Sequence, residues 1–237
     1  MSASEQARSF NRVADAYERG RPSWPPEVLE LLPIPDEATV LDDGAGTGKL
    51  TRVLAARYAK VFALEPLAEL RAILEERVPQ AEALPGVAEA IPLGDGSVSA
   101  VFTGQAFHWF ANDVAVAEIA RVLRPGGVLA RLWNEAIDPN PLPADYRARL
   151  DELYEAMPPP PIPDDLFEGT PFGEIHEGEV EHEHRSSRDD VLAFSASTSW
   201  IANRDDRDEV LAGLASLLPE GEYTFLMRTN FEWAARA

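Results

Sequence analysis

Apolar positions recur along this chain with changing periods, and each period predicts a different element. Phe10, Val13, Ala14 and Tyr17 fall at i, i+3, i+4 and i+7, one face of a helix predicted over residues 4–19. The run RPSWPPEVLELLPIP encloses a second, short helix near residues 26–32 between prolines, which suit a first helical turn and stop a last one. From residue 39 the rhythm shifts: ATVLDD is a short apolar strand ending in two acids, and GKLTRVLAARY returns to helical spacing. AKVFALEP repeats the strand and LAELRAILEERV the helix, bounded by Pro66 and Pro79.

The next stretch is punctuated by Pro85, Pro92 and the GDG triplet, which leave a weak strand near residues 81–84 and a continuous apolar strand, VSAVFTG. VAVAEIARVL is then an amphipathic helix, RPGG a turn and GVLARLWN another strand. Strands alternating with helices predict a parallel sheet. Beyond Asn134 the pattern loosens. MPPPPIPDD reads as a stiff, extended spacer inside an insertion. GEVEHEHRSS alternates like an edge strand, RDDVLAFSAS and RDEVLAGLASLL read as short helices, and YTFLMRTNFEWA as a final strand of period two.

Composition narrows the class. With 237 residues, 45% of them apolar, the chain can bury one substantial core, so a single α/β domain is expected. Its segments are an N-terminal arm over residues 1–35, a core over 36–135, a proline-rich insertion over 136–175 and C-terminal strands and helices over 176–237. A formal charge of −20 repels nucleic acid and acidic lipid, and no basic patch offsets it. The absence of cysteine removes disulfides, thiolate zinc sites and cysteine nucleophiles. The polar N-terminus lacks a signal-peptide core, and no stretch approaches 18 consecutive apolar residues, so a cytoplasmic chain without a membrane partner is expected. Oligomeric state is left open.

The densest chemistry is in LDDGAGTGKLT. A phosphate-gripping P-loop ending at Gly48-Lys49 would need glycine at position 43 and Ser or Thr at position 50, where this chain has Asp43 and Leu50. A dinucleotide fingerprint fits Gly44 and Gly46 but puts its third glycine at Lys49. What remains is a loop that approaches an amino acid joined to a nucleoside, with no pyrophosphate to cradle. Gly44 and Gly46 would let backbone N–H groups approach a ligand carboxylate, aided by the positive end of the helix that starts near Gly48. Glu65, at the end of the second strand, is placed to accept hydrogen bonds from both hydroxyls of a ribose. Asp43 beside Asp42 predicts a raised pKa for one of the two unless a cation neutralises both.

VLDDGAGTGKLT, VFALEP and AEAIPLGDGSVSAVFTGQAFHWF, in that order and spacing, resemble the class I S-adenosylmethionine-dependent methyltransferases. The chain is most similar to small-molecule enzymes of the methyltransferase domain 11 type, including the trans-aconitate methyltransferase-like group. FNRVADAYERGRPSWP also looks like the N-terminal arm of that group. The resemblance implies a doubly wound, mostly parallel seven-stranded sheet, a Rossmann-like methyltransferase fold, with the arm and the proline-rich insertion building a lid. It implies S-adenosylmethionine as cofactor, its methionine end on Gly44, Ala45, Gly46 and Thr47, with Asp42 near the ammonium and Tyr17 and Arg21 reaching toward the carboxylate. Adenine would lie between Pro66-Leu67 and the Ala88-Glu89-Ala90 loop. Two positions depart from the family: Val87, where many relatives carry an acid or small polar residue, and Asp43, where an apolar residue is usual.

QAFHWF follows the fourth strand, where a methyl acceptor meets the sulfonium. Gln105, at the edge of the cofactor site, and His108 are the catalytic candidates; His108 and Trp109 are the acceptor-binding ones, while Phe107 and Phe110 are expected to pack. An imidazole could serve as base for a hydroxyl acceptor, whereas a carboxylate acceptor needs none. A strongly anionic acceptor is disfavoured by the acidic surface unless Arg21 or Arg131 lines the pocket. No metal is expected: His182 and His184 read as an alternating edge strand. The expected activity is O-methylation of a small molecule. The alternatives are a cofactor-binding protein of the same fold without turnover, and an NAD-dependent oxidoreductase.

Overall fold

Seven strands order as β3-β2-β1-β4-β5-β7-β6 in a computed structural model that describes residues 18, 20–137, 140–156, 162–163, 166–202 and 204–237. The expected helix over residues 4–19 and most of the proline run lie outside the described residues. The elements are α1 (Glu27–Glu30), β1 (Thr39–Asp43), α2 (Lys49–Arg57), β2 (Lys60–Leu64), α3 (Ala68–Arg77), β3 (Glu82–Leu84), β4 (Val98–Gly104), α4 (Asp113–Val122) and β5 (Leu123–Ile137). Then come α5 (Ala144–Ala156), β6 (His176–Ser187), α6 (Arg188–Ser197), α7 (Ser199–Ala202), α8 (Arg207–Leu217) and β7 (Glu222–Ala235). β1 pairs in parallel with both β2 and β4, β2 with β3 and β4 with β5, so the chain winds outward both ways from β1. The gap between β1 and β4 is therefore the switch point, where an open α/β sheet binds its ligands.

Alternation along the strands explains the two faces. Val40, Ala100, Phe102, Val128 and Ala130 face one way and share a core with Leu50 and Leu54 of α2 and Val28 and Leu29 of α1. Leu41, Val101 and Leu129 face the other way and pack with Val116, Ile119 and Val122 of α4. Because both faces are covered, the strands read as unbroken apolar runs. The RPGG turn is taken inside β5: Val98 faces Leu123 and Ala100 faces Val128, so residues 124–127 bulge out of the ladder, with Gly126 at φ 74°.

The chain divides into two compact units. One contains residues 24–135, 160–180 and 228–237, and it holds both sheet-face cores. The other contains residues 1–23, 136–159 and 181–227, and its core gathers Leu142, Tyr146 and Leu153 with Val191, Ile201 and Leu214. Helix α5 in this unit is not among the expected elements. It buries Tyr146 and Leu153, at i and i+7, and the Tyr146 hydroxyl lies 2.8 Å from Ser195 Oγ.

Candidate functional site

The loop after β1 turns three times through left-handed backbone, with φ of 81° at Gly44, 58° at Gly46 and 88° at Gly48. That region is open to glycine at little cost. Gly44 has a second reason to be glycine, since a Cβ there would lie 2.5 Å from the Ala106 Cβ of the loop after β4. At Gly46 a Cβ would meet no described residue within 4 Å, so among the described residues the loop faces open space there. Its amides are not free donors, contrary to the expectation of a carboxylate cradle: Gly44 and Ala45 donate to the Leu64 carbonyl, Gly48 to the Ala45 carbonyl, and Gly46 to Glu65 Oε2 at 2.8 Å. The glycines supply close approach, while the Leu64 and Ala45 carbonyls and the Glu65 carboxylate take these N–H groups.

Glu65 is buried at the end of β2, and its Oε1 accepts the Leu67 amide at 2.9 Å. Each carboxylate oxygen keeps a further lone pair, so two amides fix the group without exhausting it. Leu67 and Val87 stand 56% and 44% exposed, beside Pro66 and the turn in which the Ala90 amide donates to the Val87 carbonyl. Ala88 is buried, and Glu89 accepts a hydrogen bond from Asn112 Nδ2.

Asp42 and Asp43 point to opposite faces and are both buried. Asp42 Oδ2 accepts from the Thr51 hydroxyl at 2.6 Å, while its Oδ1 has no partner. Burial pushes its pKa up to about 7, a rise that the Thr51 bonds partly offset. Asp43 Oδ2 is likewise unpartnered; burial, then repulsion from Asp42 and Glu89, pushes its pKa up to about 8. The expectation of one raised carboxyl thus becomes two, because no arginine among the described residues reaches either.

At the end of β4, Gln105 adopts φ 53°, the one non-glycine residue with positive φ among those described, and its Nε2 donates to the Asn134 carbonyl. A side-chain residue held there signals a constraint imposed by its surroundings. Gln105 and His108 line a cavity of about 490 Å³, together with Thr103, Phe107, Arg131 and Glu232. Phe107, expected only to pack, does both. Trp109 does not line the cavity; it is 59% exposed with its ring 4.7 Å from that of His108. Ile162, Phe167 and Ile175 complete the walls, so part of the expected insertion does reach the site.

Arg21 Nε donates to Ser197 Oγ at 3.1 Å, and its guanidinium lies over the Phe194 ring, all within the unit that contains residues 1–23. Tyr17 lies outside the described residues. Thr47 and Ala45 are buried in the loop. His182 and His184 are half-buried on β6, where exposed acids alternate with them, and the His184 ring meets Ser186 Oγ at 2.8 Å. No helix among the described residues is long and apolar enough to cross a membrane.

Against known proteins, residues 41–130 match the family model described as "Methyltransferase domain". An uncharacterized methyltransferase of Schizosaccharomyces pombe is 35% identical over 204 residues, covering 82% of this chain and 80% of that one. The chain belongs to the methyltransferase family. An uncharacterized methyltransferase of Mycobacterium tuberculosis is 49% identical over 133 residues, 56% of this chain; the match spans about half, 55%, of that relative's length. A malonyl-[acyl-carrier protein] O-methyltransferase of Methylococcus capsulatus is 41% identical over 102 residues, 40% of this chain and 37% of that one. Among solved structures, a type II methyltransferase from Anaeromyxobacter dehalogenans aligns with TM-score 0.64 and 25% identity over 91% of this chain and 97% of that one. S-adenosylmethionine is the cofactor, and the methyltransferase site fits it. The orphaned Asp42 Oδ1 offers a partner for an ammonium, Gly46 opens onto room for a ligand, and Leu67 and Val87 offer apolar surface for a base.

Proposed function

We propose that the chain transfers a methyl group from S-adenosylmethionine to an oxygen atom of a small molecule held in the cavity at the ends of β4 and β5. The observation that carries this reading is adjacency: Gln105 and His108, on the turn that follows β4, belong to the cavity wall, and Ala106 between them packs on Gly44 of the cofactor loop. The cofactor supplies a methyl group on positively charged sulfur, released to a nucleophile as the bonding pair goes to sulfur. The chain's part is positioning. Glu65, held by two amides, presents fixed oxygens to the ribose hydroxyls; Asp42 takes the ammonium; Pro66, Leu67, Ala88 and Glu89 flank the adenine. The cavity walls align the acceptor, which supplies much of the rate in an in-line displacement. His108 forms part of those walls.

Calorimetry with S-adenosylmethionine, S-adenosylhomocysteine and NAD tests the cofactor half. Binding of the first two and not of NAD is expected; NAD binding alone would replace this reading with an oxidoreductase. Methyl transfer from labelled cofactor to acceptors tests the second half, and tight cofactor binding with no transfer to any acceptor would leave a binding protein.

A further inference from the structure

The cavity carries charge, shape and one unsatisfied polar atom, and the three together restrict the acceptor. Arg131 stands in register with Thr103 across the β4–β5 ladder, and its guanidinium is bonded to the Glu232 carboxylate of β7. The two side chains are 15% and 21% exposed, so the pair lies mostly out of water and contributes no net charge. The guanidinium sits 4.9 Å from the Phe107 ring centre and 5.0 Å from that of Phe167. A carboxylate entering this space would lose its hydration and find the cation already neutralised by Glu232, whose own charge would repel it. A neutral molecule meets neither cost.

Shape points the same way. Phe107 and Phe167 stack, with centres 6.0 Å apart and planes 14° from parallel, and Ile162 and Ile175 extend the apolar wall. About 490 Å³ lies within the usual range for small-ligand sites. Thr103 also lines the cavity, and its hydroxyl, buried just beneath that wall, has no hydrogen-bond partner among the described residues. Buried hydroxyls find partners in nearly every folded protein, so one left open on a cavity wall marks where a ligand's polar atom belongs.

We propose that the acceptor is an uncharged, planar hydroxy compound of the phenol class, with its ring against Phe107 and Phe167 and a polar substituent on Thr103, and that Glu232 sets this selectivity by neutralising Arg131. The inference rests on the O-methyltransferase reading above. The phenolic oxygen donates a lone pair to the methyl carbon as the carbon–sulfur pair goes to sulfur, and it loses its proton to solvent water, so each turnover converts a sulfonium and a phenol to a thioether, an aryl methyl ether and one proton.

The test uses the full chain with labelled S-adenosylmethionine and ring-matched pairs, naphthols and hydroxybenzaldehydes against naphthoates and benzoates. The wild type is expected to methylate the phenols with kcat/KM at least about a hundredfold above the matched carboxylates. Glu232→Gln, which frees the cation, is expected to move that ratio toward carboxylates by about tenfold or more with cofactor affinity unchanged. Thr103→Val is expected to raise KM for the phenols and leave kcat and cofactor affinity nearly unchanged. If Glu232→Gln does not fold, the paired replacement Arg131→Met with Glu232→Met keeps the cavity neutral and is expected to keep the phenol preference. Equal or better turnover of carboxylates by the wild type overturns the proposal, as does an unmoved ratio in folded Glu232→Gln or failure of every phenol both to react and to bind in the presence of S-adenosylhomocysteine. Failure to bind S-adenosylmethionine at all would instead strike the reading beneath it.

Discussion

The carboxylate of Glu65 takes the amide of Gly46, 19 residues before it, at 2.8 Å, joining the end of β2 to the loop after β1. Glu65→Ala is expected to weaken S-adenosylmethionine binding by about 1.5–3 kcal/mol, the range for hydrogen bonds to a charged group. Calorimetry on a variant shown by circular dichroism to be folded decides the matter. Unchanged affinity would remove Glu65 from the site.

Asp43 carries a stability cost that grows with pH. Its folded pKa, pushed up to about 8, lies above the unfolded value of 3.8, so the folded state holds the extra proton between those limits. Stability is then fully present below about pH 4 and is lost as pH rises through about 8. Asp43→Leu should raise the melting temperature, and by more at pH 8 than at pH 5. An equal gain at both values would show that Asp43 is ionised throughout.

Asp42, the proposed partner of the cofactor's ammonium, should make cofactor binding a proton-linked event. Its pKa of about 7 falls when an ammonium arrives, so binding should release protons and tighten as pH rises from about 6 toward 8. Calorimetry in buffers of different ionisation enthalpy measures the protons directly. Asp42→Asn should weaken binding and abolish the release attributable to this group; a release identical to that of the wild type would assign it elsewhere.

His108 is a wall residue in the arrangement seen, leaning on Trp109 at the cavity edge. His108→Gln is expected to lower turnover by no more than about tenfold, well short of the 10²–10⁴-fold typical of a lost general base. A fall beyond about a hundredfold, with loss of the acidic limb of the pH–rate profile, would make it the base.

Gln105 offers a separation of strain from stability. Gln105→Gly relieves the positive φ but gives up the bond to Asn134, effects of about 1 kcal/mol each in opposite directions. Denaturant midpoints should therefore move little while turnover falls. A loss of stability with turnover intact would make the residue a structural latch.

How far the chain could be read without its structure depended on whether the relevant contacts were local. VSAVFTG forms β4 over the same seven residues because burial on both faces leaves an uninterrupted apolar run. Asp42, the glycines and Glu65 were legible for a similar reason: each stands at the end of a short strand, and strand ends of parallel neighbours meet. Helix α5 was hidden because its apolar positions are few and charged residues fill the rest, so Tyr146 and Leu153 make sense only beside Ser195 and Leu214. Glu232 was hidden more deeply. Its partnership with Arg131 requires β7 to insert between β5 and β6, a pairing that period-two alternation in YTFLMRTNFEWA cannot specify.

That insertion also sets an order of assembly. A chain growing from its N-terminus presents the Gly44–Gly48 turn and Glu65 early, whereas Glu232 reaches the ribosome's exit only after six of the seven strands have been made. A nascent chain could therefore form its glycine turn while Arg131 still lacked its counter-ion, and the cavity takes its final polarity only when β7 is in place.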